Sequence, residues 1–284
     1  MHVIVTGGSS GIGLAIATLY ASRGDHVSLL ARHPGRLEQA QAQIDALPGI
    51  DSSRIQIASV DVASAAQVSS AIESCEASFG PCDILIASAG IVEPRTFDAM
   101  PASVFDEQIS INLLGTANVV RAVYKGMKSR RDGKIMMISS GAALIGIFGY
   151  TAYCASKSAL GGFAEALSAE AAAYGIRVSV CFPPDTQTPQ YRRELLMRPP
   201  EAAALMGSVK PWSAEAVAAK IVGGIDRGRA KIHFGFSLTM LAYLGPLIKP
   251  SLIWWVSRKT RKNIGKETSE SLAESSDRRF DHGK

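Results

Sequence analysis

His2-Val3-Ile4-Val5-Thr6-Gly7-Gly8-Ser9-Ser10-Gly11-Ile12-Gly13 is the stretch on which the fold turns. A short apolar, β-branched run reads as a strand, and the glycine-rich turn after it opens a helical pattern over Gly11–Arg23. In that setting Gly7 permits a tight turn, Gly11 lets the backbone approach a pyrophosphate, and Gly13 lets the helix pack closely. Unpaired N–H groups and the helix dipole then stabilise phosphate charge, with Ser9 and Ser10 adding hydroxyl donors. The stretch predicts a nucleotide at the start of the first helix.

Outward from it, strand patterns recur at Val27–Ala31, Ile55–Ser59, Asp83–Ala87, Lys134–Ser139, Arg177–Phe182 and Lys231–Phe234. Helical patterns fall between them at Gly35–Ala46, Ala65–Phe79, Phe105–Lys128, Tyr153–Tyr174 and Ala214–Gly223. Strand–helix alternation requires parallel pairing through right-handed crossovers, with helices on both faces. Strands apolar along their whole length fit a sheet covered on both sides. The predicted class is α/β, a Rossmann-type doubly wound parallel sheet. At 284 residues, 47% hydrophobic and 19% charged, the chain is globular rather than disordered.

Further residues carry chemistry. Arg32 closes the second strand, where an arginine accommodates a ribose 2′-phosphate and an acidic residue would hold a 2′-hydroxyl. Arg36, a turn later, adds a second guanidinium, so NADPH is expected over NADH. Asp61 stands where a carboxylate accepts from an adenine amino group. Tyr153 and Lys157, four apart on one helix face, pair a phenol with an ammonium. A phenol with its ordinary pKa of about 10 is a sluggish acid at neutrality, and a fixed cation nearby is expected to pull it down. Ser140, at the end of the fifth strand, is placed to donate to the same substrate oxygen, and Ser139 to point the other way.

The turn Thr6–Gly13, Asn112 in Ser110–Gly115, Ser140 and Tyr153-x₃-Lys157 together resemble the short-chain dehydrogenases/reductases over about residues 2–235. The resemblance implies seven strands ordered 3-2-1-4-5-6-7. It implies catalytic roles for Ser140, Tyr153 and Lys157, and Asn112 anchoring a water that links Lys157 to solvent. It implies cofactor contacts from Ile12, Val62, Ser88, Gly90, Pro183, Thr186, Tyr153 and Lys157 beside the glycine turn, and a dimer surface on helices Phe105–Lys128 and Tyr153–Tyr174. One departure stands out: the usual Asn-Asn-Ala-Gly turn is here Ala87-Ser88-Ala89-Gly90. Within the family, Phe148–Tyr153 and Phe182-Pro183-Pro184-Asp185-Thr186-Gln187-Thr188-Pro189 look like those of 3-ketodihydrosphingosine reductases. That likeness implies reduction of 3-dehydrosphinganine to sphinganine with NADPH, a long-chain keto-amine substrate. A hydroxysteroid, a 3-oxoacyl chain or another lipophilic carbonyl is the alternative; a nucleotide-sensing scaffold is the non-enzymatic one.

Two segments break the alternation. Thr186–Pro211, with four prolines, is either a lid over the site or a surface connection. Ile232–Val256 carries one formal charge, Lys249, and the pair Trp254-Trp255. Its Gly245-Pro246 and Lys249-Pro250 pairs are expected to interrupt it, so an interfacial or re-entrant element is preferred to a helix docked on the core. The organisation expected is a reductase domain over 1–235, an apolar and basic segment over 236–266, and a disordered polar tail over 267–284. The net charge of +5 draws on Lys249, Arg258, Lys259, Arg261, Lys262 and Lys266, which suit an anionic lipid surface; no nucleic acid is expected. Cys75, Cys82, Cys154 and Cys181 lack ligand spacing, and the histidines are scattered, so reduced thiols and no metal are expected. Met1-His2 run straight into the first strand, so no secretory signal is expected. The location expected is cytoplasmic, at the cytosolic face of a membrane (endoplasmic reticulum in a eukaryote).

Overall fold

The computed structural model describes residues 1–206, 210–254 and 258. Its main sheet holds β1 (His2–Thr6), β2 (His26–Ala31), β3 (Ile55–Ser59), β4 (Ile84–Ala87), β5 (Gly133–Ile138), β6 (Ile176–Phe182) and β9 (Lys231–His233). All neighbours pair in parallel, in the order β3-β2-β1-β4-β5-β6-β9. Two-residue strands β7 (Thr186–Gln187) and β8 (Trp212–Ser213) pair separately. With those set aside, the order is the expected 3-2-1-4-5-6-7.

The period-2 geometry of a strand explains why these strands are apolar throughout. Val3, Val5, Ile84, Ile86, Met136 and Ile138 face one core, shared with α1 (Gly11–Ser22), α2 (Pro34–Asp45) and α9 (Ala214–Asp226). Their neighbours Ile4, Leu85, Ala87, Ile135 and Met137 face the other, shared with α3 (Ala65–Phe79), α5 (Gly115–Arg130) and α6 (Thr151–Ala171). Burying each large aliphatic side chain contributes roughly 1.5–3 kcal/mol, so both faces are strongly specified. A one-residue slip would exchange the two cores and is resisted for that reason.

The order reverses between β1 and β4, and the loops after them part there to leave a cleft at the strands' carboxyl ends. Thr6 ties the two loops together, its hydroxyl oxygen accepting from the N–H groups of Ser88 (3.1 Å) and Ala89 (3.2 Å). The helix expected over Phe105–Lys128 is α4 (Ala102–Ile109) running into α5 through one wide π turn, Ser110–Leu114. Such turns concentrate at functional sites, and Asn112 sits in the middle of this one.

Thr186–Pro211 holds β7, α7 (Pro189–Met197) and α8 (Pro200–Met206). The apolar segment differs from expectation. It is one unbroken helix, α10 (Gly235–Trp254), passing Gly245-Pro246 and Pro250. A proline removes one amide donor and bends a helix without having to end it, and an apolar run on both sides sustains the remaining turns. Trp255, Val256, Lys259, Arg261, Lys262, Lys266 and the 267–284 tail lie outside the described residues, while Arg258 stacks over Trp254 at 5.4 Å.

Candidate active site

A cavity of about 1340 Å³ fills the cleft. Every residue expected at the nucleotide or catalytic centre lines it except Asn112. At one end is the glycine turn. Gly7 takes a left-handed φ of 67°, and a Cβ on Gly13 would run into the Gly7 carbonyl oxygen, so neither position tolerates a side chain. Ser10, the residue before α1, makes no side-chain cap, and the first turn holds no acid. The first amides of α1 are therefore open donors facing the cavity, a cradle for phosphate. That cradle fits the pyrophosphate of a dinucleotide.

Beyond the turn, Arg32 and Arg36 are exposed at the cavity rim, with His33 between them. Arg32 also meets Glu107 of α4 at 3.6 Å, a partner the sequence did not suggest. Half-exposed ion pairs of that length are weak, so the guanidinium remains available to a phosphate. Asp61 is fixed by its own turn: its carboxylate accepts from the Ala63 N–H at 3.0 Å, and its N–H donates to Gln67 at 3.0 Å. Ser88 and Val62 line the wall, and the Ser88 hydroxyl has no partner among the described residues. The Pro183 carbonyl takes the Gly141 N–H at 2.7 Å, joining the loops after β5 and β6, and Thr186 closes its own turn on Pro184 at 2.8 Å.

At the centre, α6 presents Tyr153 and Lys157 on one face. Lys157 is buried, its ammonium donating to the Ile138 carbonyl at 3.0 Å and lying 5.9 Å from the Tyr153 ring centre. Burial pulls that ammonium down to about 8. Burial pushes the Tyr153 phenol up, with the Ser140 hydroxyl opposing it and the Glu194 and Asp185 carboxylates reinforcing it. The expectation that Lys157 would draw the phenol down is thus corrected. Desolvation outweighs the cation, and Lys157 spends a donor on a carbonyl rather than on the phenol. The result is a tyrosine that keeps its proton, the form needed to give one away.

Ser140 starts a short 3₁₀ turn, its hydroxyl oxygen accepting from Ala142 N–H at 3.1 Å, and lines the cavity beside Tyr153. Ser139 turns the other way and donates to the Lys157 carbonyl at 2.8 Å. Asn112 lies behind the wall. Its amide oxygen accepts from Ile91 N–H at 2.8 Å, and its amide nitrogen donates to the Ile91 carbonyl and Ser156, each at 3.0 Å. That side chain braces the loop carrying Gly90 against α6. A Cβ on Gly90 would lie 3.0 Å from Lys157 Nζ and 3.1 Å from Asn112 Oδ1, so the three meet closely.

Three features escaped the sequence reading. Glu107 is one. The second is a buried chain in which the Tyr150 hydroxyl donates to Glu194 (2.7 Å), and Arg198 bridges Glu194 (2.7 Å) and Asp185 (3.0 Å). The spacing of Glu194 on α7 and Arg198 just past its end, four residues apart, was the available signal. The third is the cavity's apolar end, walled by Leu238, Leu241, Ile248 and Leu252 of α10. Within the segment after β6, α7 lines the cavity, and that chain ties it to Tyr150.

Strand order, cleft and the Ser–Tyr–Lys grouping define an oxidoreductase that works on a nicotinamide dinucleotide, and the chain belongs to the short chain dehydrogenase family, whose sequence profile matches residues 1–197. Among characterised relatives it is 38% identical over 244 residues to the 3-ketodihydrosphingosine reductase of Bos taurus, covering 86% of this chain and 74% of that one. Its identity to the 3-dehydrosphinganine reductase of Danio rerio is 39% over 244 residues, with the same 86% and 74% coverage. Among solved structures, that of levodione reductase is similar at a TM-score of 0.75 and 25% identity, over 82% of this chain and 95% of that one.

Proposed function

We propose that this chain reduces the 3-keto group of 3-dehydrosphinganine to sphinganine with NADPH, with Tyr153 as proton donor, at a membrane surface. The observation that carries the reading is the shape of the cavity. A polar end with a phosphate cradle, a phenol holding its proton and an apolar end built by α10 lie in one continuous space. Such a space suits a dinucleotide, a carbonyl and a long alkyl chain in sequence. The relatives named for this ketone support the choice over a steroid or a 3-oxoacyl chain. When bound, reduced nicotinamide supplies hydride to the carbonyl carbon. Ser140 orients the carbonyl oxygen by donating to it, and Tyr153 delivers the proton to that oxygen. Lys157, buried beside Tyr153 and held by the Ile138 carbonyl, fixes the position from which the phenol is recharged. Resemblance to the family assigns Asn112 the water that completes the relay, and its bracing of the Gly90 loop is compatible with that.

NADPH rests on Arg32 and Arg36. Replacing both by alanine is expected to raise the KM for NADPH by about 10- to 100-fold, the range for hydrogen bonds to a charged group, while KM for NADH stays put. Equal losses with both cofactors would remove the 2′-phosphate assignment.

Membrane association rests on α10. It has 20 residues, long and apolar enough to cross a bilayer by length and composition. One side lines the cavity, while Tyr243, Leu247 and Trp254, which do not line it, are exposed. Leu195, Leu196 and Met197 of α7 add exposed apolar surface. A helix apolar on several sides has no reason to face water. A homo-oligomer through α5 and α6 belongs to the same reading. The testing experiment is turnover of 3-dehydrosphinganine against a steroid and 3-oxoacyl panel, with NADPH or NADH, with and without anionic vesicles. Selective NADPH-dependent turnover, enhanced by vesicles, is expected; preference for a panel member would replace the substrate, and indifference to vesicles would remove the membrane.

A further inference from the structure

Resting on that substrate reading, we propose that Glu194 is the residue that recognises the amine of the keto-amine substrate. In 3-dehydrosphinganine the nitrogen sits on the carbon next to the ketone, so whatever holds the ketone at Tyr153 places an ammonium within reach of the neighbouring wall. Glu194 is that wall. It lines the cavity from α7 and is 9% exposed. Tyr150 connects it to the centre: the Tyr150 ring meets the Tyr153 ring edge-on at 6.3 Å, and its hydroxyl reaches Glu194 at 2.7 Å.

The way the carboxylate is satisfied matters more than its presence. Both donors, the Tyr150 hydroxyl and the Arg198 guanidinium, bond to one oxygen, Oε1. The second oxygen, Oε2, accepts from no described residue, and Glu194 itself lines the cavity. Within this buried chain two carboxylates, Asp185 and Glu194, share one guanidinium, that of Arg198. Lys157 does not neutralise them, being turned to the Ile138 carbonyl. Arg192 and Arg193, which precede Glu194 on α7, and Lys210 also line the cavity, but all three are exposed and none forms an ion pair with Glu194 among the described residues. A largely buried carboxylate is costly unless its charge is matched, and an ammonium supplies both a donor and the opposite charge.

The same placement affects the chemistry. The carboxylates of Glu194 and Asp185 help hold the proton on Tyr153. An ammonium docked on Glu194 offsets that field, so the correct substrate makes its own proton donor more acidic. A ketone without the amine lacks this effect.

The experiment compares 3-dehydrosphinganine with its deamino analogue, the same hydroxyketone chain without nitrogen, in the wild type, Glu194→Gln and Tyr150→Phe. Glutamine keeps the shape and the acceptor for Arg198 but removes the charge. Glu194→Gln is expected to shrink the preference for the amine substrate over the deamino analogue, read as the ratio of their kcat/KM values, by about 10- to 100-fold, with the loss falling on the amine substrate. Tyr150→Phe removes a brace and keeps the carboxylate, so it should affect both substrates alike. Equal loss on both substrates in Glu194→Gln, or no loss on either, overturns the assignment while the substrate reading stands. A wild type that turns over neither chain, or both equally well, sinks the substrate reading or the amine recognition respectively.

Discussion

Tyr153→Phe is expected to lower turnover by about 10²- to 10⁴-fold, the contribution of a positioned general acid. Nucleotide affinity should be largely unchanged, because the ring remains and only the hydroxyl goes. The reason is electrostatic. Burial, the Glu194 and Asp185 carboxylates and the shortage of compensating donors all favour the protonated phenol, with Ser140 the only opposing group of note. Removing the hydroxyl removes the proton source without disturbing the glycine turn that holds phosphate. Steady-state rates together with nucleotide titration check both halves. Unchanged turnover would transfer the acid role elsewhere.

Lys157→Met has the second large effect, visible in stability as well as activity. Burial pulls the ammonium down to about 8 from 10.5. The unfolded chain thus binds its proton more tightly than the folded one, and the linkage sign follows: stability rises with pH across the window from 8 to 10.5. Below it the buried charge costs the fold about 3 kcal/mol, at roughly 1.4 kcal/mol per tenfold change in proton affinity. Buried groups such as Cys82 and Cys181 are pushed up and oppose this trend at alkaline pH, so the difference between wild type and variant is the useful quantity. The stability of Lys157→Met relative to wild type should be greatest near neutrality and shrink by about 3 kcal/mol toward pH 10.5. Denaturant melts without nucleotide measure it; a pH-independent gap would mean that Lys157 is not the titrating group. Turnover should fall with the variant at every pH, since the proton relay beside Tyr153 is lost.

The sheet was legible because its strands are apolar on both faces and its glycine turn has a single geometric use. The cofactor end was legible for the same reason: backbone amides at a helix start leave a local sequence pattern. Tyr153 and Lys157 share a helix face, so their spacing revealed their meeting. What spacing did not reveal is the balance of forces there, since the Ile138 carbonyl and the surrounding burial come from other elements. Glu107 near Arg32, and Tyr150 with Glu194 and Asp185, are tertiary pairs between distant segments and left little local trace. The prolines of α10 point locally to a break, but the apolar run that continues beyond each of them carries the helix through. The amide of Asn112, in the π turn, is spent on Ile91 and Ser156, contacts across elements that leave no local pattern.

The central claim is tested most directly by mixing the purified chain with NADPH and 3-dehydrosphinganine in vesicles and counting products. One sphinganine formed for each NADPH oxidised, abolished by Tyr153→Phe, is the predicted result. NADPH that binds without oxidation, or sphinganine that accumulates equally in the variant, would contradict it.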